Sequence, residues 1–240
     1  PKEYNDKKLI DELKIKEEQK KVDAILKVVF LGESGVNKME IINQFCTPPP
    51  FDPNNITSLS SQFQSKIVNY PDLAKSIRFD IWDTVGQEKY RPLAKIFYKD
   101  AQVIVFVYDI TSYDSFEQIK NYWYKEVNNC RHQDMPILAL VGNNVEKYDY
   151  QQVKDDEAKC FADEIGAIFQ SASPLNDSGI NQLFDNIAKI YLIPGYDYKE
   201  IEKKEREEYF KRKEQMREKR EKILKKMINI LIKSIKRNAV

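Results

Sequence analysis

Residues 32–39 have the composition of a loop that binds phosphate. They read GESGVNKM, follow an apolar run that predicts a strand, and precede a segment with helical character. In such a loop the backbone N–H groups converge on phosphate oxygens, and a lysine contributes a point charge. A plain strand-turn-helix connection is the alternative. The residues predicted to contact phosphate are Glu33, Ser34, Gly35, Val36, Asn37, Lys38 and Met39.

Two residues of this loop depart from the phosphate-binding pattern G-x-x-x-x-G-K-[ST]. Asn37 stands where the pattern has its second glycine, and Met39 stands where it has the hydroxyl residue that ligates magnesium. Asparagine tolerates positive φ better than most residues, so the loop shape can persist. A thioether is a soft ligand whereas magnesium demands oxygen, so magnesium binding is expected to be weak.

A second motif lies at residues 82–88, which read WDTVGQE. It resembles the WDTAGQE of the Ras superfamily of small GTPases, where this motif ends the third strand. The resemblance implies that Asp83 holds magnesium through water and that Gly86 senses the γ-phosphate. It also implies that Gln87 is the catalytic residue that positions the attacking water. GTP or GDP is the nucleotide implied.

The segment 89–116 resembles the Rab family in particular. Phe63, Trp82 and Phe97 match three aromatic positions that form the effector surface of Rab proteins. Packing in or beside the core is the other interpretation of these residues. Exposed aromatic side chains are typical recognition anchors, which favours a surface that binds a protein partner.

Two later segments match the base-recognition motifs of the family only in part. Asn143, Asn144 and Glu146 stand at the positions of NKxD, in which the lysine packs over the base and the aspartate accepts two hydrogen bonds from guanine. Glu146 is one methylene longer and has to fold back or displace the base, so weakened guanine selectivity is predicted. The SAK motif, whose alanine N–H reads the guanine oxygen, is represented by Ser171, Ala172 and Ser173.

The first switch of the family has the poorest match. Aligning Phe63 with the family phenylalanine places Ser58 at the threonine that contacts magnesium, and Ser58 keeps the hydroxyl. The preceding run, residues 47–53, reads TPPPFDP, and its prolines are expected to fix one loop conformation. Ser58 and Asp83 are therefore the predicted metal ligands.

Short apolar runs separated by helical segments predict the elements that position these motifs. The runs are 26–31, 77–82, 103–108, 137–141 and 167–170. Such alternation predicts a parallel sheet covered by helices on both faces. A further run, 62–69, is predicted to pair with 77–82 as an antiparallel hairpin. Together with the resemblance, the fold class is α/β: a P-loop small GTPase fold with a six-stranded, mostly parallel sheet and helical extensions at both ends.

Composition divides the 240 residues into three parts. Residues 1–24 are predicted to be a charged helical extension, residues 25–193 a Rab-like small GTPase domain, and residues 194–240 a long C-terminal helix. Residues 197–240 carry 16 basic and 9 acidic side chains, a net +7 against −6 for the rest of the chain. The overall charge of +1 gives no case for a nucleic-acid partner.

Apolar residues in the C-terminal helix recur at spacings of three and four, which places them on one face. They are Leu224, Met227, Ile228, Leu231 and Ile235. Docking on a protein partner is the preferred interpretation, and an anionic membrane is the alternative because lysines flank the stripe. No apolar run is long enough to span a bilayer. The chain ends KRNAV, so the C-terminal prenylation usual in Rab proteins is not expected.

Five residues depart from the family pattern: Asn37, Met39, Asn144, Glu146 and Ser173. Counted as independent losses, they favour a Rab-like pseudo-GTPase, an interaction module of a larger assembly with weak or absent GTP hydrolysis and a permanently bound guanine nucleotide. The alternative is an active GTPase that cycles between GDP and GTP in membrane traffic. Three cysteines without metal-ligand spacing suit a reducing compartment, so a cytoplasmic location is expected, within a cytoskeletal or membrane-associated assembly.

Overall fold

The computed structural model of this chain describes residues 22–47, 63–84, 97–130, 135–197, 199–201, 203–204 and 211. Six strands of this part lie in one sheet in the order β2-β3-β1-β4-β5-β6. Their bounds are β1 Ala24–Leu31, β2 Phe63–Tyr70, β3 Lys75–Asp83, β4 Val103–Asp109, β5 Ile137–Asn143 and β6 Ile168–Ser171. Strand β2 is antiparallel to β3, and every other neighbouring pair is parallel. The predicted fold class is confirmed.

The antiparallel hairpin forms at the edge of the sheet, as the run 62–69 predicted. Phe63 pairs with Trp82, and the pairing continues to Tyr70 opposite Lys75. A 3-10 turn, Pro71–Leu73, then reverses the chain. At the start of β2 exposed and buried side chains alternate, which is the pattern of a strand with one face toward the core.

Helical segments connect the strands. They are α1 Lys38–Cys46, α2 Tyr113–Gln118, the π-helical turn Ile119–Trp123, α3 Tyr124–Asn128, α4 Asp155–Glu164 and α5 Ile180–Leu192, with a further 3-10 segment at Val145–Tyr150. The π-helical turn runs directly from α2 into α3. Because such a turn closes on the fifth residue instead of the fourth, it rotates the side chains that follow relative to a regular α-helix.

The sheet is covered on both faces. On one face, Phe30 of β1 lies against Phe184 of α5, and Phe184 stacks on Phe45 of α1 with ring centroids 3.5 Å apart. On the other face, Val29 joins the core cluster that contains Phe106 of β4. Because adjacent residues of a strand point to opposite faces, β1 is buried on both sides, as a central parallel strand must be.

The carboxyl ends of the five parallel strands meet at one edge of the sheet. Loop 32–37 follows β1 there, and Asp83, Asp109, Asn143 and Ser171 are the last residues of β3, β4, β5 and β6. Open α/β sheets bind ligands at this edge, beyond the ends of their strands. The fold therefore collects most of the predicted nucleotide-site residues in one place.

The chain separates into two compact units, Pro1–Leu192 and Ile193–Val240. In the second unit, Asp197 begins a helical segment: its Oδ1 accepts hydrogen bonds from the N–H groups of Lys199 and Glu200 at 2.9 and 3.1 Å. One turn later, Lys204 Nζ lies 2.6 Å from Glu200 Oε1. Asp197 thus caps the first turn of this helical segment.

Several predicted features lie outside the described residues: residues 1–21 of the N-terminal extension, the metal ligand Ser58, the switch residues Gly86 and Gln87, and the stripe Leu224, Met227, Ile228, Leu231 and Ile235. Within the described ranges, no helix has the length and apolar character needed to cross a membrane.

Candidate functional site

The loop between β1 and α1 turns on residues with positive φ. Gly32 has φ +154°, and a Cβ atom there would lie 2.3 Å from the carbonyl oxygen of Val107, so no larger residue fits. Gly35 and Asn37 have φ values of 85° and 61°. Asparagine is one of the few residues other than glycine that visits this region routinely. Asn37 therefore occupies a left-handed position where the family pattern has glycine.

Lys38 opens α1 and folds back over this loop. Its ammonium group donates to the carbonyl oxygens of Gly32 and Glu33 at 3.1 and 3.0 Å. Only 6% of the residue is exposed. Burial lowers the pKa of Lys38, while the negative charges of Asp83 and Glu33 act in the opposite direction. The lysine thus holds a buried positive charge at the ligand-binding edge of the sheet.

Asp83 ends β3, the strand next to β1, and faces this charge. Burial raises the pKa of Asp83 from its ordinary 3.8 to about 6, against the opposing effects of Lys38 and the Thr84 N–H. Its Oδ1 is buried and has no hydrogen-bond partner among the described residues. The neighbouring Thr84 hydroxyl donates to the carbonyl oxygen of Phe30 at 2.7 Å, which ties the strand end to β1. The carboxylate is therefore held in place with an acceptor oxygen to offer.

Asp83 is the described residue that the resemblance assigns to magnesium, and the other predicted ligand, Ser58, lies outside the described residues. Magnesium demands near-octahedral oxygen coordination, and Asp83 offers one carboxylate. Met39, the second residue of α1, is partly buried and presents a thioether instead of a hydroxyl. Among the described residues, no group of three or more His, Cys, Asp or Glu side chains is placed to hold a metal.

At the other end of the site, Asn143 connects the base loop to the phosphate loop. Its side-chain Nδ2 donates to the carbonyl oxygen of Val36 at 3.0 Å, and the residue is fully buried. Ala172 is also buried, but its N–H donates to the carbonyl oxygen of Gly142 at 2.8 Å. The N–H that the resemblance assigns to the guanine oxygen is therefore engaged within the fold, and Ser171 beside it is half-buried.

Asn144 and Glu146 each bond a residue from another loop. Asn144 Oδ1 accepts from Asn37 Nδ2 at 3.3 Å, and Asn144 Nδ2 donates to Asp109 Oδ2 at 2.6 Å. Glu146 Oε2 accepts from the Ser173 hydroxyl at 2.6 Å. The base loops and the phosphate loop are thus joined by side chains, with Asp109 as an anchor.

Sequence reasoning missed two residues of this region. Asp109 Oδ1 accepts from both the N–H and the hydroxyl of Thr111, and an Asp followed two residues later by Thr after a buried strand is a signal that predicts such a turn. Trp123 donates from its indole N–H to Glu33 Oε1 at 3.0 Å. No pattern in the sequence predicts that contact, because it depends on the π-helical turn that ends at Trp123.

The three aromatic residues predicted as an effector surface lie side by side. The ring centroids of Phe63 and Trp82 are 4.7 Å apart, and those of Trp82 and Phe97 are 5.7 Å apart. Phe63 is 39% exposed, while Trp82 and Phe97 are partly buried against the core cluster. The group therefore combines core packing with an exposed aromatic edge. Of the loop residues, Ser34 and Gly35 are exposed to solvent.

The fold, the phosphate-type loop and the residues at the strand ends define a small GTPase of the Ras type. A sequence model of the Ras family matches residues 27–192, and the chain belongs to that family.

Among the similar proteins, human Ras-related protein Rab-22A is 37% identical over 172 residues, which cover 72% of this chain and 85% of the relative. The yeast Ras-related protein SEC4 (Saccharomyces cerevisiae) is 33% identical over 171 residues, covering 71% and 77%. Bovine Ras-related protein Rab-21 is 36% identical over 163 residues, covering 68% and 71%. The chain is a Rab-like small GTPase.

Proposed function

We propose that this chain is a Rab-type regulatory protein that binds a guanine nucleotide and, when loaded with GTP, presents a surface to protein partners in membrane traffic. The observation that carries this proposal is the arrangement of Lys38. Its ammonium is buried, is bonded to the carbonyl oxygens of Gly32 and Glu33, and faces Asp83. A desolvated cation at the carboxyl edge of a parallel sheet matches a phosphate group.

The named relatives favour the cycling GTPase that the sequence offered as its alternative over the pseudo-GTPase. Rab-22A and Rab-21 carry Rab names, and their alignments cover 72% and 68% of this chain. Proteins of this type act as switches, because the γ-phosphate of GTP orders two loops that relax after hydrolysis. A cytoplasmic, membrane-associated location follows from this role.

In this role, the phosphates lie against the backbone N–H groups of residues 33–38 and the charge of Lys38. Asn143 sets the distance between the phosphate loop and the base loop through its bond to the Val36 carbonyl. Glu146 accepts from the guanine base through the carboxylate oxygen that Ser173 does not bond. Gln87 positions the attacking water, and Gly86 senses the γ-phosphate.

The partner surface in this proposal is the aromatic group Phe63, Trp82 and Phe97. Its contiguous rings and the exposed edge of Phe63 supply the kind of anchor that dominates protein interfaces. The C-terminal stripe of Leu224, Met227, Ile228, Leu231 and Ile235 is a second proposed contact. Replacing Leu224, Leu231 and Ile235 with Glu is expected to abolish partner association and leave the GTPase domain folded, which co-purification and thermal unfolding measure.

In a second candidate function, the chain binds a guanine nucleotide but does not cycle between GTP and GDP. Met39 removes the hydroxyl that would ligate magnesium, which favours slow hydrolysis, so that bound GTP would not be converted to GDP. In that case the chain acts as an interaction module, with the nucleotide as a structural part. Both candidates share guanine-nucleotide binding and differ in turnover.

Titration of the purified full chain with fluorescent GDP, GTP and ATP analogues tests the proposal. We expect guanine nucleotides to bind with a dissociation constant below about 1 μM and ATP to bind at least about tenfold more weakly. Absence of guanine binding, or equal binding of ATP, would contradict the proposed function. Single-turnover hydrolysis of bound GTP then separates the two candidates.

A further inference from the structure

Four of the five residues that depart from the family pattern bond one another. Asn37 of the phosphate loop donates to Asn144 of the first base loop, and Ser173 of the second base loop donates to Glu146 of the first. Each bond therefore joins two departures across two loops. Met39 is the fifth departure and stands outside both pairs.

We propose that these four residues act as two matched pairs that rebuild the guanine site. The pair Asn37–Asn144 holds the phosphate loop against the base loop, and the pair Ser173–Glu146 sets the position of the base-reading carboxylate. The inference rests on the proposed function, since both pairs serve nucleotide binding. It means that the departures are two compensated exchanges, not four losses.

The Asn37–Asn144 hydrogen bond matters because Asn144 is buried. Asn144 is 3% exposed, so replacing Asn37 with glycine would leave Asn144 Oδ1 buried without this donor. Both asparagines have left-handed backbones, with φ values of 61° and 66°. Glycine at position 37 therefore accepts the same backbone conformation and removes the side chain with its amide donor.

The bond also belongs to a relay that ends on the sheet. Asn144 Nδ2 donates to Asp109 Oδ2, and Asp109 Oδ1 is fixed by the N–H and hydroxyl of Thr111. The orientation of the Asn144 amide is set by this carboxylate, because only its NH₂ end can donate to Asp109. Its oxygen is then directed to Asn37. A lysine at position 144 has donors alone and gives Asn37 Nδ2 no acceptor.

Glu146 is one methylene longer than the aspartate of the family motif, and its bond to Ser173 fixes where the longer side chain lies. Ser173 is fully buried, and its oxygen accepts from the Asn176 N–H at 3.3 Å. Its own hydrogen therefore points to Glu146 Oε2 at 2.6 Å. This bond holds the glutamate folded back and leaves its second oxygen for the base. The N–H groups of Ala172 and Ser173 donate to the carbonyl oxygens of Gly142 and Ser178, so of these groups Glu146 is the one that can read guanine.

The first pair is tested by a double-mutant cycle in the full chain. The variants are Asn37→Gly, Asn144→Lys and the combination of both, which restores the family residues. We expect each single variant to bind fluorescent GDP about tenfold more weakly, and the combination to return to within about threefold of the unmodified protein. Asp100→Gly is the matched control, because Asp100 also has positive φ but is exposed and precedes β4.

Thermal unfolding of each variant without nucleotide accompanies this cycle. If the single variants fail to fold and the combination folds, the pair is coupled and the inference stands. If the combination also fails to fold, or if the two effects on GDP affinity simply add, the pairing is wrong. Additivity in a protein that binds GDP overturns this inference alone, whereas absence of GDP binding by the unmodified chain overturns the proposed function as well.

The second pair is tested by base discrimination. Inosine diphosphate lacks the exocyclic amine of guanine, so the ratio of GDP to IDP affinity reports how well the carboxylate is placed. We expect Ser173→Ala to lower this ratio about tenfold, with a smaller change in IDP affinity. Ser178→Ala is the control, since the Ser178 backbone pairs with Ser173 and its side chain is exposed. An unchanged ratio in Ser173→Ala means that Ser173 does not position Glu146 and overturns this half of the inference.

Discussion

Two parts of the site depart from the family pattern in different ways. The base end consists of Asn37, Asn144, Glu146 and Ser173, and the metal end consists of Met39 and Asp83. At the base end, Asn144 and Glu146 each bond another residue that departs from the family pattern. At the metal end, Met39 stands where the family pattern has a hydroxyl residue, and its thioether is a soft ligand whereas magnesium prefers oxygen. A count of departures therefore says less about function than whether each departing residue bonds another departing residue.

The largest expected effect is that of Lys38→Met, which removes the buried charge beside the phosphate loop. The ammonium bonds two loop carbonyl oxygens and faces Asp83, so its loss leaves the phosphates without a buried cation. We expect GDP affinity to fall by about 2–5 kcal/mol in a fluorescence titration. Lys99→Met is the control, because Lys99 is exposed and its carbonyl oxygen, not its side chain, accepts from Lys27. A change below threefold in Lys38→Met would make the ammonium a structural group only.

The next effect is the pH dependence of the free energy of unfolding, measured without nucleotide or metal, which Asp83 is expected to cause. Because burial raises the pKa of Asp83 from 3.8 to about 6, the folded state binds more protons than the unfolded state between these values. The free energy of unfolding should therefore fall as pH rises from about 4 to about 6, by about 2–3 kcal/mol. Asp83→Asn should lack this fall, and Asp72→Asn, at an exposed position, should keep it. Guanidinium unfolding of each variant across this pH range gives the free energy of unfolding. If it depends on pH in the same way in Asp83→Asn and in the unmodified protein, the assignment to Asp83 is wrong.

A smaller effect, and a gain of activity instead of a loss, is expected for Met39→Thr, which restores the hydroxyl at the metal end. With oxygen in place of sulfur, magnesium gains a ligand, and GTP turnover should rise about tenfold or more. Met39→Ala is the matched control, since it removes the thioether and adds no oxygen. Single-turnover hydrolysis distinguishes them. Equal rates in the two variants would show that residue 39 does not limit the reaction.

The smallest expected effect is that of Trp123→Phe, which keeps an aromatic ring in the core and removes the bond to Glu33 of the phosphate loop. Loss of one hydrogen bond should weaken GDP binding by about 1 kcal/mol. Trp82→Phe is a natural comparison, because the other tryptophan lies in the aromatic surface beside Phe63. If Trp82→Phe weakens GDP binding as much as Trp123→Phe, the loop contact has no special role.

The fold was predictable from sequence because its signals are local and repeated. The runs that became β1, β4 and β5 are apolar over most of their length, and the WDTVGQE motif fixed the place of β3 in the family fold. The loop GESGVNKM likewise predicted the turn between β1 and α1. In these regions neighbouring residues carry the signal.

The matched contacts were not predictable, because each one joins residues far apart in the chain. Asn37 and Asn144 are 107 residues apart, and Trp123 and Glu33 are 90 apart. Sequence reasoning weighed each departure alone and read Ser173 and Glu146 as separate losses. The engaged N–H of Ala172 was also invisible, because it depends on the pairing of β6 with β5.

Dissociation of fluorescent GDP from the unmodified chain, measured with and without EDTA, tests the difference between the two ends most directly. If the base end is intact, GDP should dissociate slowly. If the metal end binds magnesium weakly because it lacks the hydroxyl, EDTA should leave the GDP dissociation rate nearly unchanged. In Met39→Thr the same EDTA treatment should speed release by about tenfold or more. Fast release without EDTA would contradict the rebuilt base end. Strong acceleration by EDTA in the unmodified protein would contradict the loss at the metal end.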